Sequence, residues 1–246
     1  MELLVFATGT SSENPRAELY SFGTGKRELI GETRLDSTIT SFESIKYAKT
    51  DEGTSIYADA LCADGSSMVT EFIYWSDYYN SIISPFYSYS TGRTKETLRS
   101  SQVTCRDIDD DGYIEIPEDT SSKKQSSEIT SQNWVNYGNT VLSHKCYSFS
   151  CKRDGYILVI DDDDFSKVKA NYDSESRKLT IINKKNKSNV FEIVTLINSN
   201  YSVNDPKYKD YTMIMKNSGF VYLAKVNKSS DIDINIQTLK DMIKVY

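Results

Sequence analysis

Asp107-Ile108-Asp109-Asp110-Asp111-Gly112-Tyr113-Ile114-Glu115-Ile116-Pro117 is the stretch around which the chain is organised. Counted from Asp107, carboxylates stand at positions 1, 3 and 5, glycine at position 6 and an acid at position 9. Such a ladder of hard oxygen ligands suits calcium, and Gly112 permits the sharp turn that gathers them. An EF-hand would place its bidentate glutamate at position 12, here Glu118, and continue as a helix. Pro117 and the polar run Asp119-Thr120-Ser121-Ser122 argue against that helix. The alternation Tyr113–Ile116 predicts a short strand that ends at Pro117. The competing reading keeps only the turn, with a Lys or Arg side chain or water in place of the ion.

Upstream of this loop the pattern is all-β. Leu3–Thr8 reads as a strand, and Ala17–Phe22 and Leu29–Glu32 flank the turn Gly23-Thr24-Gly25-Lys26 as a hairpin. Ile39–Tyr47, Ser55–Leu61 and Met68–Trp75 follow, separated by short polar turns. Strands of this length between such turns fit propeller blades, although roughly 120 residues hold only two or three of them. Aligning Gly53 with Gly112 sets Ala48, Thr50 and Glu52 over Asp107, Asp109 and Asp111, a repeat that retains the turn and has lost the ligands.

Downstream, residues 119–131 are polar and read as a linker. Trp134–Ser150 predicts a strand pair, and Gly155–Ile160 an apolar strand. Asp161-Asp162-Asp163-Asp164 lacks a following glycine and its neighbouring side chains diverge, so it predicts a surface turn leading into a short helical turn at Phe165. Val168–Tyr172, Lys178–Asn183 and Val190–Leu196 continue as a meander, with Lys184-Lys185-Asn186-Lys187 as a solvated turn. Tyr208, Tyr211 and Met215 after Pro206 predict a helix over Asp205–Asn217; Phe220–Val226 is a strand, and Ile234–Val245 an amphipathic helix. The fold class read from this pattern is mainly β with an α+β C-terminal part: partial β-propeller-like blades over 1–120, then an antiparallel sheet with one or two helices over 132–246.

Charge divides similarly. Residues 1–128 hold 12 Lys/Arg against 22 Asp/Glu, and residues 129–246 hold 17 against 13. The acidic first half excludes nucleic acid as an expected partner, since that demands clustered positive charge. No apolar run approaches the ~20 residues of a membrane-spanning helix. Glu2–Phe6 is too short for a signal peptide, so the expectation is an export signal, further blades and a lipid anchor upstream of Met1. Cys62, Cys105, Cys146 and Cys151 form no Cys-x-x-Cys pair, and His144 is the sole histidine, which disfavours zinc. Cys146 and Cys151 are close enough in sequence to raise a small disulfide loop, with buried thiols as the favoured alternative.

Leu98-Arg99-Ser100-Ser101 and Cys105-Arg106-Asp107 through Pro117 resemble the repeats of FG-GAP/VCBS-type β-propeller proteins. Thr70-Glu71-Phe72-Ile73-Tyr74-Trp75 followed by Ile83-Ser84-Pro85-Phe86-Tyr87 is similar to a pattern in envelope lipoproteins of Gram-positive, clostridia-like bacteria. The resemblance implies a calcium site between two blade strands, with Asp107, Asp109, Asp111 and Glu115 as side-chain ligands and the Tyr113 carbonyl beside them. It also implies an extracytoplasmic protein, secreted or on the cell surface. The run Gly155–Ile160 with Phe165–Asp173 looks like lipoprotein domains of the PsbP/Mog1 fold.

For function, the expectation is a monomeric, non-catalytic binding or structural module for a protein, glycan or cell-wall partner. Tyr74, Tyr78, Tyr79, Tyr87, Tyr89 and Trp75 form the densest aromatic cluster; Trp75, Tyr78 and Tyr79 are the candidate ligand contacts, and a buried core is the blander reading. The alternative is a hydrolase acting on an envelope or dietary polymer. Against it, His144 is the only imidazole, and no Gly-x-Ser-x-Gly or His-Glu-x-x-His occurs.

Overall fold

A computed structural model describes residues 1–10, 12–23, 25–50, 53–120, 128–138, 141–200, 205–227 and 232–245. Most of the expected linker therefore lies outside the described residues. Strand accounts for 57% of the chain and helix for 7%, in several antiparallel sheets with no closed barrel, so the protein is mainly β. It divides into two compact units: Met1–Asp119 with Trp134–Lys145, and Thr120–Asn133 with Cys146–Tyr246. Among the described residues no helix is long and apolar enough to cross a membrane.

The first unit begins with β1 (Glu2–Ala7), β2 (Arg16–Ser21) and β3 (Glu28–Arg34), a three-stranded sheet in that order. A second sheet runs β4 (Ile39–Thr50), β5 (Gly53–Cys62), β6 (Met68–Ser76) and β7 (Ser81–Ile83). A small ribbon of β8 (Tyr87–Ser88) and β9 (Arg93–Thr94) follows. Alternation along β5 and β6 sends side chains to two different cores. Ile56, Ala60, Val69 and Ile73 pack with Leu4, Phe6 and Leu19 on one face. Tyr57 and Phe72 turn to the other face, where Phe72 meets Tyr137 at 4.4 Å between ring centroids. Both faces are buried along Tyr57–Cys62 and Met68–Tyr74, so the polar Asp59, Thr70 and Glu71 are buried with them.

β10 (Ile116–Asp119) begins one residue after the bridge formed by Glu115, and Pro117 lies inside it rather than ending it. Its place at the edge of a sheet makes this tolerable, because the missing N–H then deprives no neighbour of a bond. β11 (Ile129–Gly138) and β12 (Val141–Cys151) form a long hairpin divided between the units: Val135, Tyr137 and Leu142 belong to the core around Tyr57 and Phe72, Ile129, Phe149 and Cys151 to that of the second unit.

In the second unit β13 (Tyr156–Ile160) pairs with Tyr147–Cys151 of β12. Next comes α1 (Asp162–Phe165), in which the aspartate run forms the single helical turn that was expected. β14 (Val168–Asp173), β15 (Lys178–Asn183), β16 (Asn189–Ile197), β17 (Thr212–Lys216) and β18 (Phe220–Val226) make a five-stranded sheet, order β14-β15-β16-β18-β17. The lysine run is the β15–β16 turn, with the Asn183 side chain accepting from the Lys185 N–H at 2.9 Å.

The helix expected over Asp205–Asn217 does not form. Pro206–Tyr208 is a 3-10 turn and Thr212–Lys216 is a strand. The aromatic spacing that suggested a helix is split between the two, and strand pairing with β18 overrides the local helical preference. At the C-terminus, α2 (Ile236–Met242) buries Leu239 and is capped by the Asn235 side chain. It is shorter than Ile234–Val245, because β19 (Ile243–Val245) leaves the helix to pair with β13.

Candidate functional site

Arg106 and Glu115 exchange backbone hydrogen bonds of 2.9 and 3.2 Å, closing residues 107–114 into a loop between two extended segments. Asp107 organises it: its two carboxylate oxygens accept the N–H groups of Asp111 at 3.0 Å and Gly112 at 2.8 Å. Gly112 has φ 90, which a β-carbon would disfavour, and Gly53 in the aligned upstream loop has φ 106. A carboxylate oxygen from each of Asp107, Asp109 and Glu115 lies within 4.8 Å of the others. Oxygens in one calcium shell, bonded at about 2.4 Å, stand at most twice that distance apart, a limit these three meet.

Glu115 is the unusual member. It is fully buried; Oε2 accepts the Ile108 N–H at 2.9 Å, and Oε1 has no hydrogen-bond partner. Burial, with the charges of Asp109, Asp111 and Asp107, pushes its carboxyl up to about 7. A buried, half-satisfied carboxylate is costly unless a cation or proton compensates it.

Of the expected ligands, Asp107, Asp109 and Glu115 come together, whereas Asp111 does not join them. Asp111 accepts from the Tyr113 N–H at 2.9 Å and pairs through Oδ2 with Lys145 Nζ at 2.6 Å. The ammonium also lies 2.9 Å from Asp109. Lys145 holds the Asp111 carboxyl below its ordinary value, and the two carboxylates raise that of Lys145. It stands 34 residues further along the chain, on β12, and nothing local in the sequence points to it. Asp161–Asp164 contribute no such cluster among the described residues.

The aromatic cluster separates into two parts. Trp75 packs against the core that holds Ala60, Val69 and Ile73, and its indole N–H donates to Asp77 at 3.1 Å. Tyr78 and Tyr79 are exposed and meet edge-to-face, ring centroids 4.8 Å apart. Tyr79 lines a cavity of about 490 Å3 together with Glu32, Ser81, Ser84, Tyr87 and Tyr89. A neighbouring cavity of about 390 Å3 shares Glu32, Thr33 and Tyr89 and extends the groove to Arg34 and Arg16. The Ser84 hydroxyl in its wall donates to a buried carboxylate, Glu71, at 2.8 Å.

The cysteines carry no site. Cys62, Cys105 and Cys151 are buried thiols, and burial pushes Cys151 up to about 12. Cys146 and Cys151 are thiols on one strand, five positions apart, and at about 3.3 Å per residue they stand too far apart for a disulfide. His144 is an exposed residue of β12. No protein-family model matches the chain, and no curated protein or solved structure matches it.

Proposed function

We propose that the chain is a non-catalytic binding module of the extracytoplasmic envelope whose Asp107–Glu115 loop holds calcium as a structural ion. In this reading the first unit consists of degenerate blade-like repeats, and the second is an α+β domain of PsbP/Mog1 type. The protein is an extracytoplasmic monomer, and its partner is a protein, glycan or wall polymer. The observation that carries the reading is the buried Glu115, with one oxygen unpartnered, beside Asp107 and Asp109. A cation there removes a desolvation cost that hydrogen bonds leave half-met. The loop's own N–H groups hold Asp107 in place, which suits a fixed structural ion rather than one that exchanges substrate.

The test is thermal unfolding in millimolar calcium against chelator. At a free concentration a hundredfold above Kd, calcium is expected to stabilise the first unit by about 2.7 kcal/mol. Asp109→Asn and Glu115→Gln should each remove most of that shift. Asp110→Asn should retain it, since Asp110 has φ 63, a conformation asparagine tolerates well. Lys145→Met should lower stability in chelator and enlarge the calcium response, because the ammonium otherwise occupies Asp109. An unchanged melting temperature on adding calcium to the wild type would refute the metal.

A further inference from the structure

Among the described residues no strand pairs with the outer edge of β3, which borders the tyrosine-lined groove. Its sheet ends there, in the order β1-β2-β3. The Leu35 N–H donates back to Pro15 at 3.0 Å, so Leu35 and, by the two-residue period, Thr33 point their backbone groups toward β2. Glu32 and Arg34 therefore turn theirs the opposite way, as the Ser81 hydroxyl reaching the Glu32 carbonyl at 3.4 Å bears out. β7 is likewise the last strand of its own sheet. β7 packs against the face of β3 at Gly31, where a β-carbon would stand 3.0 Å from the Ile82 nitrogen and the Ser81 hydroxyl. Beyond Gly31 they diverge, and the groove opens between Glu32–Arg34 on one side and the Ser81–Tyr89 segment on the other.

We infer that this groove binds an extended peptide segment of a partner protein, which adds to the outer edge of β3 as a further antiparallel strand. The inference rests on the reading of the chain as a binding module. A row of main-chain donors and acceptors at strand spacing is what strand addition uses, with side-chain pockets supplying selectivity. Glu32 and Arg34 are exposed and two residues apart on one strand. Among the described residues no carboxylate pairs with Arg34, whereas Arg16 is held by Glu13 at 2.8 Å and Glu18 at 2.6 Å. Cross-strand charge complementarity then selects a basic residue opposite Glu32 and an acidic one opposite Arg34. Tyr79 on one wall, and Tyr89 packed edge-to-face on Tyr87 at 5.0 Å, offer apolar faces to the peptide's other side chains.

The probe is a random displayed library of eight-residue peptides, with soluble chitooligosaccharide as the glycan arm. Selection on the full chain is expected to enrich peptides with an acidic residue two positions from a basic one. Arg34→Pro removes a groove-facing N–H and none directed at β2, so it should fold and weaken the selected peptides about tenfold or more. N-methylation of the selected peptide at alternate residues should abolish binding in one of its two phases and spare it in the other. That second readout uses wild-type protein and stands even if Arg34→Pro fails to fold. Four results overturn the proposal: no enrichment; binding indifferent to Arg34→Pro in a folded variant; binding indifferent to both phases of N-methylation; or chitooligosaccharide bound in the groove while peptides are not. The last leaves the binding-module reading intact, and the calcium melt tests the metal independently.

Discussion

Arg99→Met is expected to destabilise the first unit by about 3–5 kcal/mol, the largest effect of any single substitution proposed here. Arg99 and Asp59 form an ion pair of 2.8 Å with both side chains fully buried. Besides Nη2 on Asp59, three more of the five guanidinium N–H groups are engaged: Nε donates to the Val103 carbonyl at 2.9 Å, and Nη1 to Thr70 Oγ1 at 2.9 Å and the Thr97 carbonyl at 3.1 Å. Asp59 in turn accepts the Thr70 hydroxyl at 2.7 Å and the Cys105 N–H at 2.9 Å. Methionine fills much of the volume but leaves a carboxylate buried without its countercharge. Arg99→Lys should rescue little, because an ammonium cannot reproduce the planar fork. The double variant Asp59→Asn, Arg99→Met should recover part of the loss, since no uncompensated charge remains. Denaturant unfolding followed by tryptophan fluorescence measures all three, and a cost below about 1 kcal/mol for Arg99→Met would contradict the account. Because Cys105 lies two residues before Asp107 and is tethered to Asp59, the calcium response should weaken in the same variant.

Glu71→Gln should stabilise the protein at alkaline pH and leave it unchanged in acid. Glu71 is fully buried beneath the groove, and burial pushes its carboxyl from 4.5 up to about 7. Three hydrogen bonds oppose that rise: Oε1 accepts the Asp36 N–H at 2.7 Å and the Thr94 hydroxyl at 3.0 Å, and Oε2 the Ser84 hydroxyl at 2.8 Å. The folded state therefore holds this proton more tightly than the unfolded chain. The contribution of Glu71 is complete below about pH 4.5, falls as the pH rises through about 7, and is lost above it. At roughly 1.4 kcal/mol per pH unit the loss amounts to about 3 kcal/mol. Glutamine mimics the protonated acid: its oxygen serves Asp36 and Thr94, and its amide donates to Ser84, whose hydroxyl can accept. The stability difference between Glu71→Gln and wild type should thus be near zero at pH 4.5 and approach about 3 kcal/mol at pH 8, measured by urea titration in chelator. Glu115 titrates in the same range in both proteins and cancels in that difference. A difference independent of pH would show that Glu71 is ionised throughout.

Much of the local structure was legible in neighbouring residues. The order of aspartates, Gly112 and Glu115 sets a tight loop, because the Asp107 carboxylate finds its N–H donors only four and five residues on. Alternation around Ile56-Tyr57 and Phe72-Ile73 specifies strands without saying that both faces are covered. The run Asp161–Asp164 has the chemistry of a helical turn and takes that form. Spacing misled at Tyr208, Tyr211 and Met215, where a free edge of β18 recruited Thr212–Lys216 as a strand. The return of Trp134–Lys145 to the first unit left no mark in the composition.

The sequence by itself determined the carboxylate loop, the mainly β class and the aromatic cluster, since each depends on groups a few residues apart. Tertiary structure alone decided which charges meet: Lys145 on Asp109 and Asp111, Arg99 on Asp59 40 residues away, and Arg93 on Asp36 57 residues away. It also decided that Trp75 packs against the core while Tyr79 and Tyr89 line a groove, and that among the described residues β3 ends its sheet. The physical reason is that pairing, burial and an exposed strand edge belong to surfaces assembled from distant segments, whereas turn geometry and strand alternation are properties of the local backbone.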